Sequence, residues 1–264
     1  MTNLPKVVIG MAVYSTEENR KDECLEKCLA SLMAQLLDNK DYKLVLSVNG
    51  MTNNTIEFIR LFKRLGVVHD VIFNDTNIGT AEAINKVWER YPNSHCLKMD
   101  DDVVIHSTNW LDLMVECIER DPNIGIIGLK RKDCWEKPSN PNPDYKSELI
   151  MLPQEAGQKW LIVEKVKHVI GTCQLYNRAL LDKIGYLYQP SLYGYDDVLA
   201  SWRSHIAGFK NVHFPQIEID HIDDGKTGYQ GWKERHSGEQ TQNVIRIVDQ
   251  YLNGTKSIYY NPFE

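Results

Sequence analysis

The sequence predicts an α/β fold with a central, mainly parallel sheet and helices on both faces, and three observations point to it. Short apolar runs alternate with longer amphipathic segments through the first half of the chain. The runs are continuous rather than alternating, as expected of strands covered on both faces. Polar and acidic residues collect where the runs end, which is where such sheets bind their ligands.

The elements follow in order. Lys6 to Ala12 (KVVIGMA) is a buried strand. Asp22 to Leu37 is a helix, with Cys24, Leu25, Cys28, Leu29, Leu32 and Leu36 near helical spacing. Tyr42 to Val48 (YKLVLSV) is the second strand. Thr55 to Leu65 is a helix with Ile56, Ile59, Leu61, Phe62 and Leu65, and Gly66 offers a stop. Val67 to Phe73 is the third strand, Thr80 to Tyr91 the third helix, and Ser94 to Met99 the fourth strand. Asn109 to Glu119 is a helix and Ile124 to Leu129 (IGIIGL) a strand. The pattern breaks over Lys130 to Lys159, which is polar and rich in Pro and Asn (KPSNPNPDYK), and a long loop or partly ordered insertion is expected there. It resumes near Val163, with a strand from Asn211 to Phe214, a helix from Asp197 to Gly208 and a last helix from Glu239 to Leu252.

The totals narrow the function classes. With 264 residues, 42% of them hydrophobic and 25% charged, the chain has an ordinary globular composition. A net charge of -6 argues against general duplex DNA binding, which favours a basic face. No run approaches the ~20 apolar residues of a membrane span. Met1 to Lys6 is not a charged start leading into an apolar core, so no signal peptide is expected. Six cysteines (Cys24, Cys28, Cys96, Cys117, Cys134 and Cys173) form no CxxC pair and are read as reduced, mostly buried thiols, which suggests the cytoplasm.

The strongest local signal is Asp100-Asp101-Asp102 at the end of an apolar strand. Three adjacent carboxylates repel one another, and a cation relieves that cost. Hard ions such as Mn2+ and Mg2+ prefer carboxylate oxygens and bridge to phosphates. Asp100 and Asp102 are two apart, so an extended segment points both the same way. A solvated acidic turn before the next helix would have the same composition.

Four segments, in order and over roughly residues 6 to 221, resemble the GT-A glycosyltransferases, especially those of family 2. They are Met11 to Tyr14 after the first strand, Asn74 to Asn85 (NDTNIGTAEAIN), Met99 to Asp102, and Tyr193 to Arg203 (YGYDDVLASWR) followed by Ala207-Gly208-Phe209. Three positions depart from the family pattern. Asp196 stands where Glu is usual, Val198-Leu199 replaces x-Asp-Leu, and Ser47-Val48-Asn49-Gly50 ends the second strand where a pair of Asp residues is usual.

The resemblance implies a GT-A domain over residues 1–221, with a donor-binding half over about 1–129 and an acceptor and catalytic half over about 160–221. A tail over 222–264 carries a helix packed on the domain. It implies an inverting, metal-dependent transfer from a nucleotide-diphosphate sugar, UDP-linked in the first instance. The acceptor is left open among a glycan, a lipid carrier, a protein side chain and a modified nucleic acid base. Donor contacts fall on Ala12, Tyr14, Asn49, Asn77, Gly79, Thr80, Asp100 and Asp101. Mn2+ or Mg2+ falls on Asp102 and His221, and general-base duty on Asp197 with Asp196 as its alternate. Trp160, Gly171 and Thr172 border the acceptor. For Asp197 a helix N-cap is an equally simple reading. The basic stretch of Lys226, Lys233, Arg235 and His236, with Tyr229 and Trp232, is either a solvated face or a contact to diphosphate or acceptor.

Other functions share parts of this pattern. An Asp-x-Asp phosphatase of the haloacid dehalogenase type carries its motif after the first strand, whereas here it follows the fourth. A nucleotidyltransferase carries a Gly-rich basic loop after its first strand, whereas Val13 to Glu18 is acidic and lacks Gly. A sugar-binding module without turnover would need the fold but not all of Asp100, Asp102, Asp197 and His221.

Overall fold

The computed structural model describes residues 4–37, 39–132, 147–223 and 228–264. Cys134, the KPSNPNPDYK stretch, Asp224 and Lys226, with the side chains of Tyr229, Trp232 and His236, lie outside the described residues.

The described strands are β1 (Val7–Tyr14), β2 (Tyr42–Gly50), β3 (Asp70–Phe73), β4 (His95–Asp100), β5 (Val103–Ile105), β6 (Ile124–Arg131), β7 (Glu148–Met151), β8 (Ile162–Val166), β9 (Cys173–Tyr176) and β10 (Lys210–His221). The helices are α1 (Asp22–Leu36), α2 (Asn53–Arg64), α3 (Thr80–Glu89), α4 (Trp110–Arg120), α5 (Arg178–Ile184), α6 (Asp196–Ile206) and α7 (Gly228–Leu252). One sheet holds all the strands in the order β3-β2-β1-β4-β9-β6-β10-β8-β7, with β5 paired to β10. β3, β2, β1 and β4 run parallel, and β6 and β10 point the same way because β9 lies antiparallel between β4 and β6.

Residue alternation along β1 divides the core. Val7, Ile9, Met11 and Val13 face the layer that contains α1, α2 and α4. Val8 faces the layer of Ile84, Trp88, Leu180 and Ile184, from α3 and α5. A smaller cluster joins Leu199 of α6 to Val244, Ile247, Val248 and Tyr251 of α7. Arg203, fully buried, donates to the carbonyls of Tyr186 and Ile258 at 2.8 and 2.6 Å and to that of Ile184. The motif arginine thus ties α6 to the chain end and stays out of the cleft. The predicted stop at Gly66 is present, with φ +80° and its amide bonded to Lys63 O at 3.1 Å.

Three differences from the sequence reading bear on the site. The stretch over 130–159, expected as a long loop or partly ordered insertion, contains the end of β6 and all of β7. The short strand β5 follows the acidic triplet directly, so Asp100 ends β4 and Asp101-Asp102 form a tight turn between two strands. The strand expected over Asn211 to Phe214 runs on to His221, past a register shift between Phe214 and Glu218 that contains Pro215. Its second half pairs with β5, setting His221 opposite Val103.

Candidate active site

The register places the acidic turn. Ala12 of β1 pairs with Asp100 of β4, and the Asp100 amide donates to Thr172 O at 3.0 Å. With His221 opposite Val103 and the Ile222 amide donating to Asp102 O at 2.9 Å, the end of β10 lies beside Asp102. A cleft of about 600 Å³ opens there, at the carboxyl ends of β1, β2 and β4.

The predicted residues largely converge. Ala12, Tyr14, Asn49, Asn77 and Thr80 line one side of the cleft, and Asp100, Asp101, Asp102 and His221 its floor. Gly171, Thr172, Asp196 and Asp197 line the other side. Gly79 lies behind the wall at the start of α3, where φ is +84° and a Cβ would come 3.0 Å from Leu192 O, so glycine is required there. Trp160 does not reach the cleft. It is 62% exposed on the turn between β7 and β8, which closes with the Leu152 amide bonded to Leu161 O at 2.9 Å, and it borders a separate shallow groove with Met151 and Ala156. β7 and β8 form the far edge of the sheet, away from β4, so Trp160 stands apart from the other predicted residues. Trp160→Ala is expected to leave nucleotide release from a bound donor unchanged, measured as initial rates.

On the donor side Asn49 is fixed at both ends. Its Nδ2 donates to Gly79 O at 3.1 Å, and its Oδ1 accepts from Asn74 Nδ2 at 3.0 Å. Asn74 is held in turn by Lys86 Nζ at 3.0 Å. Asn77 Oδ1 accepts the Gly79 amide at 3.0 Å.

The acidic floor has built-in cations, of which the sequence reading named only Lys233. Lys21, 5% exposed at the start of α1, places Nζ 2.6 Å from Asp102 Oδ2 and 2.6 Å from Asp223 Oδ2. Lys233 Nζ lies 2.9 Å from the same Asp223 oxygen, which brings one member of the predicted basic stretch into the site. Arg235 stays exposed. Lys98 Nζ lies 2.7 Å from Asp196 Oδ2, off the axis of a hydrogen bond, and 3.9 Å from Asp100 Oδ1. Burial, aided by repulsion from Asp102, pushes the Asp100 carboxyl up to about 6 and that of Asp101 up to about 7. Burial acts the same way on Asp102, but His221 and Lys21 outweigh it and hold Asp102 well below the usual carboxylate range. A lone lysine inside the apolar run Cys96-Leu97-Lys98-Met99 was a legible signal. Lys21, eighty-one positions from Asp102, gave none.

A divalent ion fits one edge of this floor. Asp102 Oδ1 is buried without a hydrogen bond and lies 3.3 Å from His221 Nε2. Adjacent ligands of an octahedral ion with bonds of ~2.1 Å lie ~3 Å apart, so both atoms can share one. Among the described residues no group of three His, Cys, Asp or Glu side chains is arranged to hold a metal. Such an ion would take its remaining ligands from water or from the phosphates of a bound ligand.

Across the cleft, Tyr195 turns the chain into α6 with φ +65° and makes no side-chain cap. Asp197 is not the N-cap either. Its side chain reaches the loop before β9, where Oδ2 accepts the Gly171 amide at 2.9 Å and faces His168 Nε2 at 3.0 Å, while Oδ1 accepts the Val198 amide at 2.8 Å. A Cβ at Gly171 would meet Lys98 Nζ at 2.9 Å and Asp197 Oδ2 at 3.1 Å, so glycine lets this amide approach. Burial would raise the Asp197 carboxyl, but His168 and Lys98 bring it down to about 2.

Known proteins share the fold. No curated protein matches the chain in sequence. Its fold resembles a mannosyltransferase, PcManGT from Pyrobaculum calidifontis, solved with GDP-Man and Mn2+. The TM-score is 0.63 at 15% identity, covering 88% of this chain and 60% of that one. S. aureus TarS 1-349 with UDP-GlcNAc gives 0.55 at 16%, covering 83% and 61%. GalNAc-T7 with UDP, GalNAc and Mn2+ gives 0.57 at 14%, covering 83% and 44%. At these identities the likeness is one of fold, and the chain spans less than two thirds of each neighbour's length. The model of glycosyl transferase family 2 matches residues 15–185, well over half of the chain, and with the GT-A arrangement of its sheet and acidic turn the chain belongs to that family.

Proposed function

We propose that the protein transfers a sugar from a nucleotide-diphosphate sugar, most simply a UDP-sugar, to an acceptor hydroxyl with inversion. One observation supports this reading above others: the Asp102–His221 edge and the Asp197 carboxylate face one cleft of about 600 Å³. Two of the three structural neighbours were solved with a UDP-containing ligand, and two with Mn2+.

Asp102 and His221 would hold Mn2+ or Mg2+, which when bound neutralises the diphosphate and stabilises charge on the leaving nucleotide. Lys21 and Lys233 keep Asp223 compensated beside it. Tyr14, Asn49 and Asn77 border the donor's nucleoside end, with Asn49 held rigid by Gly79 and Asn74. Gly171 and Thr172 border the acceptor. The acceptor oxygen bonds to the anomeric carbon as the bond from that carbon to the phosphate oxygen breaks, and the electron pair leaves with the diphosphate. Asp197 takes the acceptor's proton, with Asp196 beside it held by Lys98. The acceptor is a glycan, a lipid carrier, a protein side chain or a modified base. No helix among the described residues is long and apolar enough to cross a membrane.

The test is nucleotide release from a panel of nucleotide sugars with Mn2+, with Mg2+ and with EDTA. Such enzymes can hydrolyse their donor slowly, with water as acceptor, so no acceptor need be guessed. Release of a nucleoside diphosphate that EDTA stops, and that Asp102→Ala no longer couples to metal, supports the proposal and names the donor. Metal-dependent donor binding without turnover would instead identify a sugar-binding module. Folded protein that neither binds nor releases would refute both.

A further inference from the structure

His168 entered none of the roles above. It stands in the loop between β8 and β9, 40% exposed, with Nε2 3.0 Å from Asp197 Oδ2. The same oxygen accepts the Gly171 amide, so this short loop supplies two of the three donors around the carboxylate. The third, the Val198 amide, holds Oδ1 from within α6. A carboxylate solvated by three donors is a weak base, and whether its neighbour carries a positive charge decides how weak.

We propose that His168 is a positioning residue for the transfer: its imidazole fixes Asp197 through the Nε2 to Oδ2 contact and must be neutral before Asp197 can take the acceptor's proton. The inference rests on Asp197 being the general base. In the neutral ring Nε2–H still donates to Oδ2, so the carboxylate keeps its orientation. Only the positive charge that opposes protonation is gone. The acceptor's O–H bond then breaks with its proton passing to Asp197, while the new bond to the anomeric carbon forms and the old bond to phosphate breaks.

The groups facing His168 set where it titrates. From α6 come Asp197 and Asp196, from β4 Lys98, and from β10 His213. Burial alone would lower the imidazole's value, but the two carboxylates outweigh burial and Lys98, and His168 is raised above its ordinary 6.5. His213 is pushed down to about 4 by burial, and its Nε2 is 3.3 Å from the Ile170 amide, so it stays neutral and adds no charge. The active, neutral form of His168 therefore accumulates as pH rises through a value above 6.5. On the acid side, turnover should fall tenfold per pH unit.

The experiment is the pH profile of kcat for nucleotide release at saturating donor and Mn2+, in the native protein, His168→Gln and Asp197→Asn. The expected result is an acid limb above pH 6.5 that His168→Gln weakens, leaving only the part that the Asp100 and Asp101 carboxyls contribute, because an amide can donate to Asp197 but cannot charge. A limb that is the same in His168→Gln overturns the proposal. Asp197→Asn separates the two readings: release that persists undiminished in this variant overturns the base assignment itself, whatever His168 does. If His168→Gln does not fold, the imidazole is followed by NMR in the native protein and in Asp197→Asn. A His168 titration that drops by a unit or more when Asp197 is replaced supports the pairing, and one that does not move overturns it.

Discussion

Asp197→Asn is expected to lower sugar transfer by about 10²- to 10⁴-fold, the range that a single general base supplies. The substitution is close to isosteric. An Asn oxygen can still accept the Gly171 amide, now 2.9 Å from Asp197 Oδ2, so the loop before β9 should keep its place. The cleft floor is untouched, because Asp102, His221 and Lys21 contact one another rather than Asp197. Donor affinity by calorimetry and the metal requirement should therefore match the native protein while kcat collapses. A loss of less than tenfold would remove Asp197 as the base and turn attention to Asp196. The change should also show in acid stability. The folded Asp197 carboxyl titrates at about 2, below its ordinary 3.8. A depressed value stabilises the fold above the unfolded value, and that stability is lost as pH falls through 3.8 towards 2. Asp197→Asn should thus flatten the loss of stability over that window, read from thermal unfolding at a series of pH values.

Most of the sheet was legible because its strands are buried on both faces and read as unbroken apolar runs. β1 and β2 fell within two residues of their expected ends. What escaped were elements whose reason lies in tertiary pairing. β5 is three residues long and exists because β10 runs on past Pro215 to meet it, which no local pattern announces. β7 lies at the sheet edge, and three of its four residues are exposed, so it lacks the apolar signal of a buried strand. The cleft divided in the same way. Asp100 and Asp102 stood out because carboxylates at the end of an apolar strand are costly without a partner, and Asp197 because of its place in the motif that resembles the family. Their partners Lys21 and His168 are distant in sequence and belong to no motif. Trp160 stands apart from the other predicted residues because β8 lies at the far side of β10 from β4.

Lys98→Met is expected to cost about 3–5 kcal/mol of stability, the price of leaving one member of a buried ion pair alone. Lys98 and Asp196 are each about 5% exposed, and no other cation lies within ion-pair distance of Asp196 among the described residues. Gln189 Nε2 contacts Asp196 Oδ1 only at 3.5 Å. Methionine fills the volume of the lysine stem but leaves the carboxylate of Asp196 facing apolar surroundings, and Asp100 loses its nearest positive charge. The midpoint of urea unfolding should fall accordingly at unchanged slope. Replacing both partners, Lys98→Met with Asp196→Leu, removes the stranded charge, and most of the loss should return. Turnover should not return with it. Lys98 is the contact that joins β4, which carries Asp100 and leads into Asp102, to the first turn of α6, which carries Asp197, and an apolar pair supplies no directed contact between them. Recovery of stability without recovery of turnover would show that the buried pair holds the two halves of the cleft in register. Recovery of both would reduce it to a filler of space, and recovery of neither would mean that the apolar pair does not pack at this position.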